Sequence, residues 1–141
     1  MITTIKDIGE GELLNRLKKF MRSGQIDDDI AEIKSDKKKL LINTDLLVEE
    51  IHFSDKISSP KDIGWKCISS NVSDLICSGS ENIISFTVGI VLPPSTDWQW
   101  VENLYEGMCE AIQEFGGEII GGDCSSGDKK VISITAIGEM N

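Results

Sequence analysis

The sequence predicts an α+β domain, a mixed or antiparallel sheet packed against helices, and three observations predict it. Two stretches carry helix-start signals followed by apolar residues at spacings of three and four. Two others alternate apolar and polar residues as half-buried strands do. An early pair of strands joined by a polar turn interrupts the regular alternation of β and α elements that an all-parallel sheet needs.

In chain order, Leu13, Leu14, Leu17, Phe20 and Met21 recur at helical spacing and Ser23-Gly24 closes the pattern, so residues 10–22 are expected to form an amphipathic helix. Residues 30–33 and 40–44 flank Ser35-Asp36-Lys37-Lys38 and predict a hairpin. Antiparallel pairing would bring Asp28 and Asp29 beside Thr44-Asp45. Ser59-Pro60-Lys61-Asp62 combines an N-cap, a first-turn proline and an acid three residues after the cap, opening a helix that runs to about Ser78. Its expected apolar face is Ile68, Val72, Leu75 and Ile76, with Ser70, Asn71, Asp74 and Ser78 opposite, Asn71 and Asp74 facing one way. Ile84, Phe86, Val88, Ile90 and Leu92 alternate as a strand ended by Pro93-Pro94. Ser95-Thr96-Asp97 caps a further helix with Trp98, Val101, Leu104 or Tyr105, Met108, Ile112 and Phe115 as its stripe, stopped by Gly116-Gly117. A short strand over residues 118–120 then runs into Gly121-Gly122-Asp123, and Ile132, Ile134 and Ala136 alternate in a last strand.

With 141 residues the chain is expected to be one folded unit. No apolar run approaches the ~20 residues of a membrane helix, and Met1-Ile2-Thr3-Thr4-Ile5-Lys6 carries no signal or transit pattern, so no membrane is expected as a partner and the cytoplasm is the expected location. A net charge of −10 argues against nucleic acid, whose binding draws on Lys and Arg. Cys67, Cys77, Cys109 and Cys124 are far apart, without a C-x-x-C pair and with a single histidine to help them, which speaks for reduced thiols rather than zinc or disulfides.

Four acidic spots, Asp27-Asp28-Asp29, Thr44-Asp45, Asp74 and Gly122-Asp123, fall where elements end, as expected of carboxylates gathered around hard cations. Mg²⁺ takes oxygen ligands and keeps phosphate oxygens or water in its shell, so a magnesium-phosphate site is the leading reading. The competing reading is plain: acids at a strand entrance form solvated turns, Asp74 with Asn71 makes a polar helix face, and Gly121-Gly122-Asp123-Cys124-Ser125 is a turn. No G-x-x-x-x-G-K-[ST] occurs, since Gly122 stands where the lysine would be, which excludes a Walker-type NTPase. His52, after Glu49-Glu50 in a predicted loop, is either a surface histidine or a donor to phosphate or substrate. No spacing suggests a Ser-His-Asp or Cys-His arrangement.

Read in order, these motifs resemble the N-terminal half of the thiamine-monophosphate kinases, within the superfamily of aminoimidazole ribonucleotide synthetase. Lys6-Asp7-Ile8-Gly9-Glu10 is similar to the family's opening and Ile26-Asp27-Asp28-Asp29-Ile30-Ala31 to its Ile-Gly-Asp-Asp-Ala-Ala. Residues 43–53, from Asn43-Thr44-Asp45 to His52-Phe53, resemble Ser-Thr-Asp-Thr-Leu-Val-Glu-Gly-Val-His-Phe. Lys66 with Asn71-Val72-Ser73-Asp74-Leu75 resembles the helix bearing Asn-Leu-Ser-Asp-Leu, and Gly121-Gly122-Asp123-Cys124-Ser125 resembles Gly-Gly-Asp-Thr-Thr. The departures are Asp27 for glycine, Asn43 for serine, Glu50 for glycine, and Ser126 where arginine is common.

The resemblance implies ATP-dependent phosphorylation of thiamine monophosphate to thiamine diphosphate, with several Mg²⁺ ions between nucleotide and acceptor. It implies Asp29, Thr44, Asp45, Asp74 and Asp123 as metal ligands, with Asn43 contributing. His52 would contact thiamine monophosphate, Gly122 and Asp123 the ATP phosphates, and Tyr105 the nucleotide. It further implies a homodimer whose N-terminal sheets pair into a barrel, and a C-terminal domain for which no counterpart is expected here, so that residues 1–141 form the ATP- and magnesium-binding, dimerising part. The strand of residues 83–92 would otherwise leave an exposed sheet edge, a physical argument for the same dimer. Two other readings remain: a non-catalytic magnesium-nucleotide-binding dimerisation module, or another ATP-dependent member of the superfamily. A receiver-like domain, a third, would need alternating β and α elements, against which the early hairpin argues.

Overall fold

A computed structural model describes residues 2–21 and 39–141; of the expected hairpin, the first strand (30–33) and the turn (35–38) lie outside these, and the second strand (40–44) lies within them. The first helix, α1 (Ile5–Leu17), continues into a 3-10 turn at Lys18–Phe20. It begins five residues before the expected start because Thr4 and Asp7 form a capping box. The Thr4 hydroxyl accepts from the Asp7 N–H at 3.3 Å and the Asp7 carboxylate from the Thr4 N–H at 2.9 Å. Gly9, at φ +75°, kinks the helix between its first turn and the rest. Leu13 and Leu17, four apart, enter the core, whereas Leu14 is exposed.

The sheet contains β1 (Lys39–Val48), β2 (Asn82–Leu92), β3 (Ile119–Ser126) and β4 (Val131–Met140), in the order β1-β4-β2-β3. The β1/β4 and β4/β2 pairs are antiparallel and β2/β3 is parallel, so the sheet is mixed. This corrects the expectation for β2: it is an inner strand, and the edges are β1 and β3. Side chains alternate across it from Phe86 to Leu92, but a register shift between Ile83 and Ser85 leaves Ile84 only half-buried and turns Ser85 inward.

Two long helices, α2 (Pro60–Cys77) and α3 (Trp98–Phe115), are capped as expected, by Ser59 and Asp97 respectively. The core forms between them and one face of the sheet: Ile63, Cys67, Ile68, Val72 and Leu75 from α2, Val101, Leu104, Tyr105, Met108 and Ala111 from α3, and Phe86, Val88, Ile90, Ile132, Ile134 and Ala136 from the strands. Two residues of the expected stripes are instead exposed. Ile76 lies outside the α2 contact, and Phe115, at the last position of α3, packs its ring against that of Trp65 at a tilt, centroids 5.8 Å apart. The helices cross backbone to backbone, for a Cβ on Gly64 would lie 2.0 Å from the Leu104 carbonyl oxygen and one on Gly107 would lie 1.9 Å from that of Lys61.

The opposite sheet face is uncovered along β1, where Leu40, Ile42 and Leu46 are exposed on alternate residues. No helix among the described residues is long and apolar enough to cross a membrane. Burial pushes the Cys67 thiol up to about 12, making it a packing residue rather than a nucleophile.

Candidate functional site

Strand alternation decides where each expected ligand points. On β1, Asn43 and Asp45 share the face of Leu47, which is buried beneath the helices, while Thr44 shares the open face with Leu40, Ile42 and Leu46. From α2, Asp74 meets this strand: Asn43 Nδ2 donates to Asp74 Oδ2 at 2.8 Å. Asn43 Oδ1 is enclosed and has no hydrogen-bond partner. An enclosed amide oxygen without a donor is a costly arrangement, and it lies beside Asp74 and one strand alternation from Asp45. Oxygen donors of this kind suit a hard cation.

Thr44 has a different neighbour. Its hydroxyl exchanges a 2.9 Å hydrogen bond with that of Thr135 across the β1/β4 pair. Asp123 lies on β3, at the far edge of the sheet and in register with Gly89. Three strand spacings of ~4.8 Å separate the edges by about 14 Å, whereas the ligands of one Mg²⁺ lie ~2.1 Å from it. Within one chain the expected ligands therefore divide into a β1/α2 group of Asn43, Asp45 and Asp74 and a β3 group at Gly122 and Asp123, with Thr44 apart from both on the open face of the sheet. Among the described residues, no three His, Cys, Asp or Glu side chains come together. Asp27, Asp28 and Asp29 lie outside the described residues.

Three expectations need correction. Asn71 does not share Asp74's surroundings: it is fully buried, with its Nδ2 donating to the Cys67 carbonyl at 2.8 Å, whereas Asp74 is exposed. The strand expected over residues 118–120 is longer, since β3 runs straight through Gly121-Gly122-Asp123 to Ser126, which removes the competing reading of these residues as a turn. The glycine answers a packing demand, since a Cβ at Gly122 would stand 1.8 Å from the Val88 carbonyl oxygen of β2. Tyr105 is a core residue, 1 % exposed, with Phe20 5.3 Å away ring to ring, and it offers no surface to a nucleotide.

His52 occupies a tight turn after β1. Its own N–H and that of Ile51 both donate to the Val48 carbonyl, at 2.8 and 3.1 Å. The Val48 N–H donates to His52 Nδ1 at 2.9 Å, so the neutral ring carries its hydrogen on Nε2. Lys66 of α2 donates to the His52 carbonyl at 2.8 Å. The imidazole is exposed and oriented, with Nε2–H as its outward donor. Glu50, in the same turn, takes φ +66°, a backbone conformation that costs a side-chain-bearing residue about 1 kcal/mol. The motif that contains Lys66 does not announce this contact, which spans 14 residues and follows no local periodicity.

Residues 27–140 match the family model described as AIR synthase related protein, N-terminal domain. The chain is 54 % identical over 134 residues to a thiamine-monophosphate kinase of Prochlorococcus marinus, spanning 95 % of this chain and 40 % of that protein. Among solved structures, AaThiL complexed with AMPPCP and TMP is 36 % identical, with a TM-score of 0.71, over 98 % of this chain and 44 % of that one. Hydrogenase maturation protein HypE in complex with ATP has a TM-score of 0.79 at 24 % identity over 99 % of this chain and 44 % of that one, a likeness of fold. The chain thus spans less than half the length of the relatives it matches.

Proposed function

From the premise that this chain belongs to the AIR synthase related proteins through their N-terminal domain, we propose that it is the nucleotide- and metal-binding part of a thiamine-monophosphate kinase. The reaction is ATP-dependent phosphorylation of thiamine monophosphate to thiamine diphosphate. The observation that carries the metal part of this reading is the β1/α2 group, in which Asn43 Oδ1 is enclosed without a donor beside the Asp74 carboxylate.

Asn43, Asp45 and Asp74 would hold Mg²⁺ on one edge of the sheet, and Asp123 with the Gly122 backbone would meet the nucleotide phosphates and their metal on the other. Thr44 and Asp29 complete the ligand set the resemblance implies. Bound Mg²⁺ would neutralise charge on the two phosphate groups, the main demand of phosphoryl transfer, so the chain needs no protein nucleophile. Its own residues place the acceptor: His52 presents Nε2–H from a turn fixed by Val48 and Lys66. Calorimetric titration of thiamine monophosphate is expected to show binding that His52→Ala weakens by about tenfold, with AMPPCP affinity unchanged. Equal loss of both ligands would remove His52 from the acceptor site.

The two groups lie about 14 Å apart in one chain, which supports a second chain as the means of bringing them near each other. The proposal therefore includes a homodimer covering the exposed Leu40, Ile42 and Leu46 of β1. Sedimentation equilibrium is expected to give twice the chain mass, and a single-chain mass at every concentration would contradict it. A second reading, magnesium-nucleotide binding without turnover, is favoured by Glu50, which stands where the resembled motif has glycine and holds φ +66°.

A further inference from the structure

The His52 turn is flanked by a charge cluster that neither the motifs nor the metal groups account for. Lys130, at the residue before β4, has a side chain only 12 % exposed. Its Nζ donates to Glu49 Oε1 at 3.1 Å and to Asp55 Oδ2 at 2.6 Å. Its backbone N–H donates to Glu49 Oε2 at 2.9 Å, and its carbonyl accepts from the Glu49 N–H at 3.0 Å. Trp100 of α3 closes the cluster from below, donating Nε1–H to Asp55 Oδ1 at 2.8 Å with its ring centroid 4.8 Å from the ammonium. The same indole lies 6.4 Å from the ring of Phe53.

Glu49 stands three residues before His52 and Asp55 three after it, so one ammonium grips both ends of the turn. Holding the Lys130 ammonium and the Glu49 carboxylate largely out of water is costly unless each is paired, and the partners come from the two ends of the turn, from α3 and from the residue before β4. Burial works against the Lys130 ammonium, but the hydrogen bonds to Asp55 and Glu49 outweigh it and raise its pKa above the ordinary lysine value. The cation is therefore retained throughout the neutral range. An arrangement this specific, 75 residues apart along the chain between Asp55 and Lys130, orients whatever the turn displays, and the turn displays an imidazole.

We infer that Lys130, through Glu49 and Asp55, is a positioning residue that fixes the His52 turn so that Nε2–H meets the phosphorylated acceptor. The role of Trp100 is to hold Asp55 in place from α3. This inference rests on the proposed acceptor role of His52, but its geometric half can be read without any ligand, because His52 is the single histidine of the chain. The imidazole nitrogens give an unambiguous ¹⁵N signature.

The test compares the unsubstituted chain, Lys130→Met and Asp55→Asn by ¹⁵N spectroscopy of the His52 ring and by titration with thiamine monophosphate and AMPPCP. Asp55→Asn keeps shape and removes one charge at a side chain already 40 % exposed, so it reports even if Lys130→Met fails to fold. The expected result is a ring signature that moves toward that of a solvent-exposed histidine, with thiamine monophosphate affinity falling about tenfold, the scale of losing an outer partner, and AMPPCP affinity held. Unchanged ring signals in a folded variant would overturn the bracket. Shifted ring signals with unchanged thiamine monophosphate affinity would overturn its connection to the acceptor. Failure of the unsubstituted chain to bind thiamine monophosphate would instead sink the functional reading and the acceptor half of this inference with it.

Discussion

Gly107→Ala is expected to destabilise the domain by about 3 kcal/mol or more, a large part of the 5–15 kcal/mol that holds a typical domain folded. A methyl group there would stand 1.9 Å from the Lys61 carbonyl oxygen and 2.7 Å from its carbon, where ordinary contact begins near 3.4 Å. Nothing can rotate away, because the obstructing atoms are backbone. The helices must separate by more than 1 Å, and separation opens the packing of Ile63, Cys67, Leu104 and Met108 that their crossing creates. Gly64 faces Leu104 in the same way, so the two glycines act as one contact. Gly11→Ala is the control: a Cβ meets nothing within 4 Å, and in a helix alanine is favoured over glycine by about 1 kcal/mol. Urea denaturation should therefore give opposite signs for the two changes. A loss below about 1 kcal/mol for Gly107→Ala would show that the helices do not approach this closely.

Asp74→Asn is expected to weaken Mg²⁺-dependent AMPPCP binding at least tenfold, about 1.4 kcal/mol, without loss of fold. The side chain is exposed, and the amide oxygen of an asparagine could still accept from Asn43 Nδ2, so the substitution removes charge and leaves shape. A carboxylate lost from a cation site cannot be replaced by a neutral amide at equal affinity. Unchanged affinity in a folded variant would take Asp74 out of the metal group and leave Asn43 Oδ1 without an explanation.

Local physics made the helices and inner strands legible. Ser59 with Pro60, and Asp97 before Trp98, are signals within four residues, and the alternation from Phe86 to Leu92 and from Ile132 to Ala136 needs only the period of a strand. The capping box of Thr4 and Asp7 is equally local, but it lies upstream of the apolar period that begins at Leu13, so that period alone predicts too late a start for α1. Gly121-Gly122 misled for a different reason. Glycine permits both a turn and a close strand approach, and only the Val88 backbone beside Gly122 decides between them.

The candidate site was legible as a set of residues but not as an arrangement. Motif resemblance picked out Asn43, Asp45 and Asp74, and the Asn43–Asp74 bond unites two of them. It could not show that β1 and β3 lie at opposite edges, since strand order depends on how β4 inserts between β1 and β2. Nor could it find the Lys130 cluster, whose members come from a turn, a helix and a strand end. Tyr105 illustrates the converse: an aromatic at helical spacing is equally consistent with core and surface until the partner of that face is known.

The most direct test of the central claim is calorimetric titration of AMPPCP into this chain with Mg²⁺ present and again with the metal chelated. Saturable binding that requires Mg²⁺ is the predicted result. Binding of equal strength without the metal, or none in a folded protein, would contradict the claim that this domain carries a magnesium-nucleotide site.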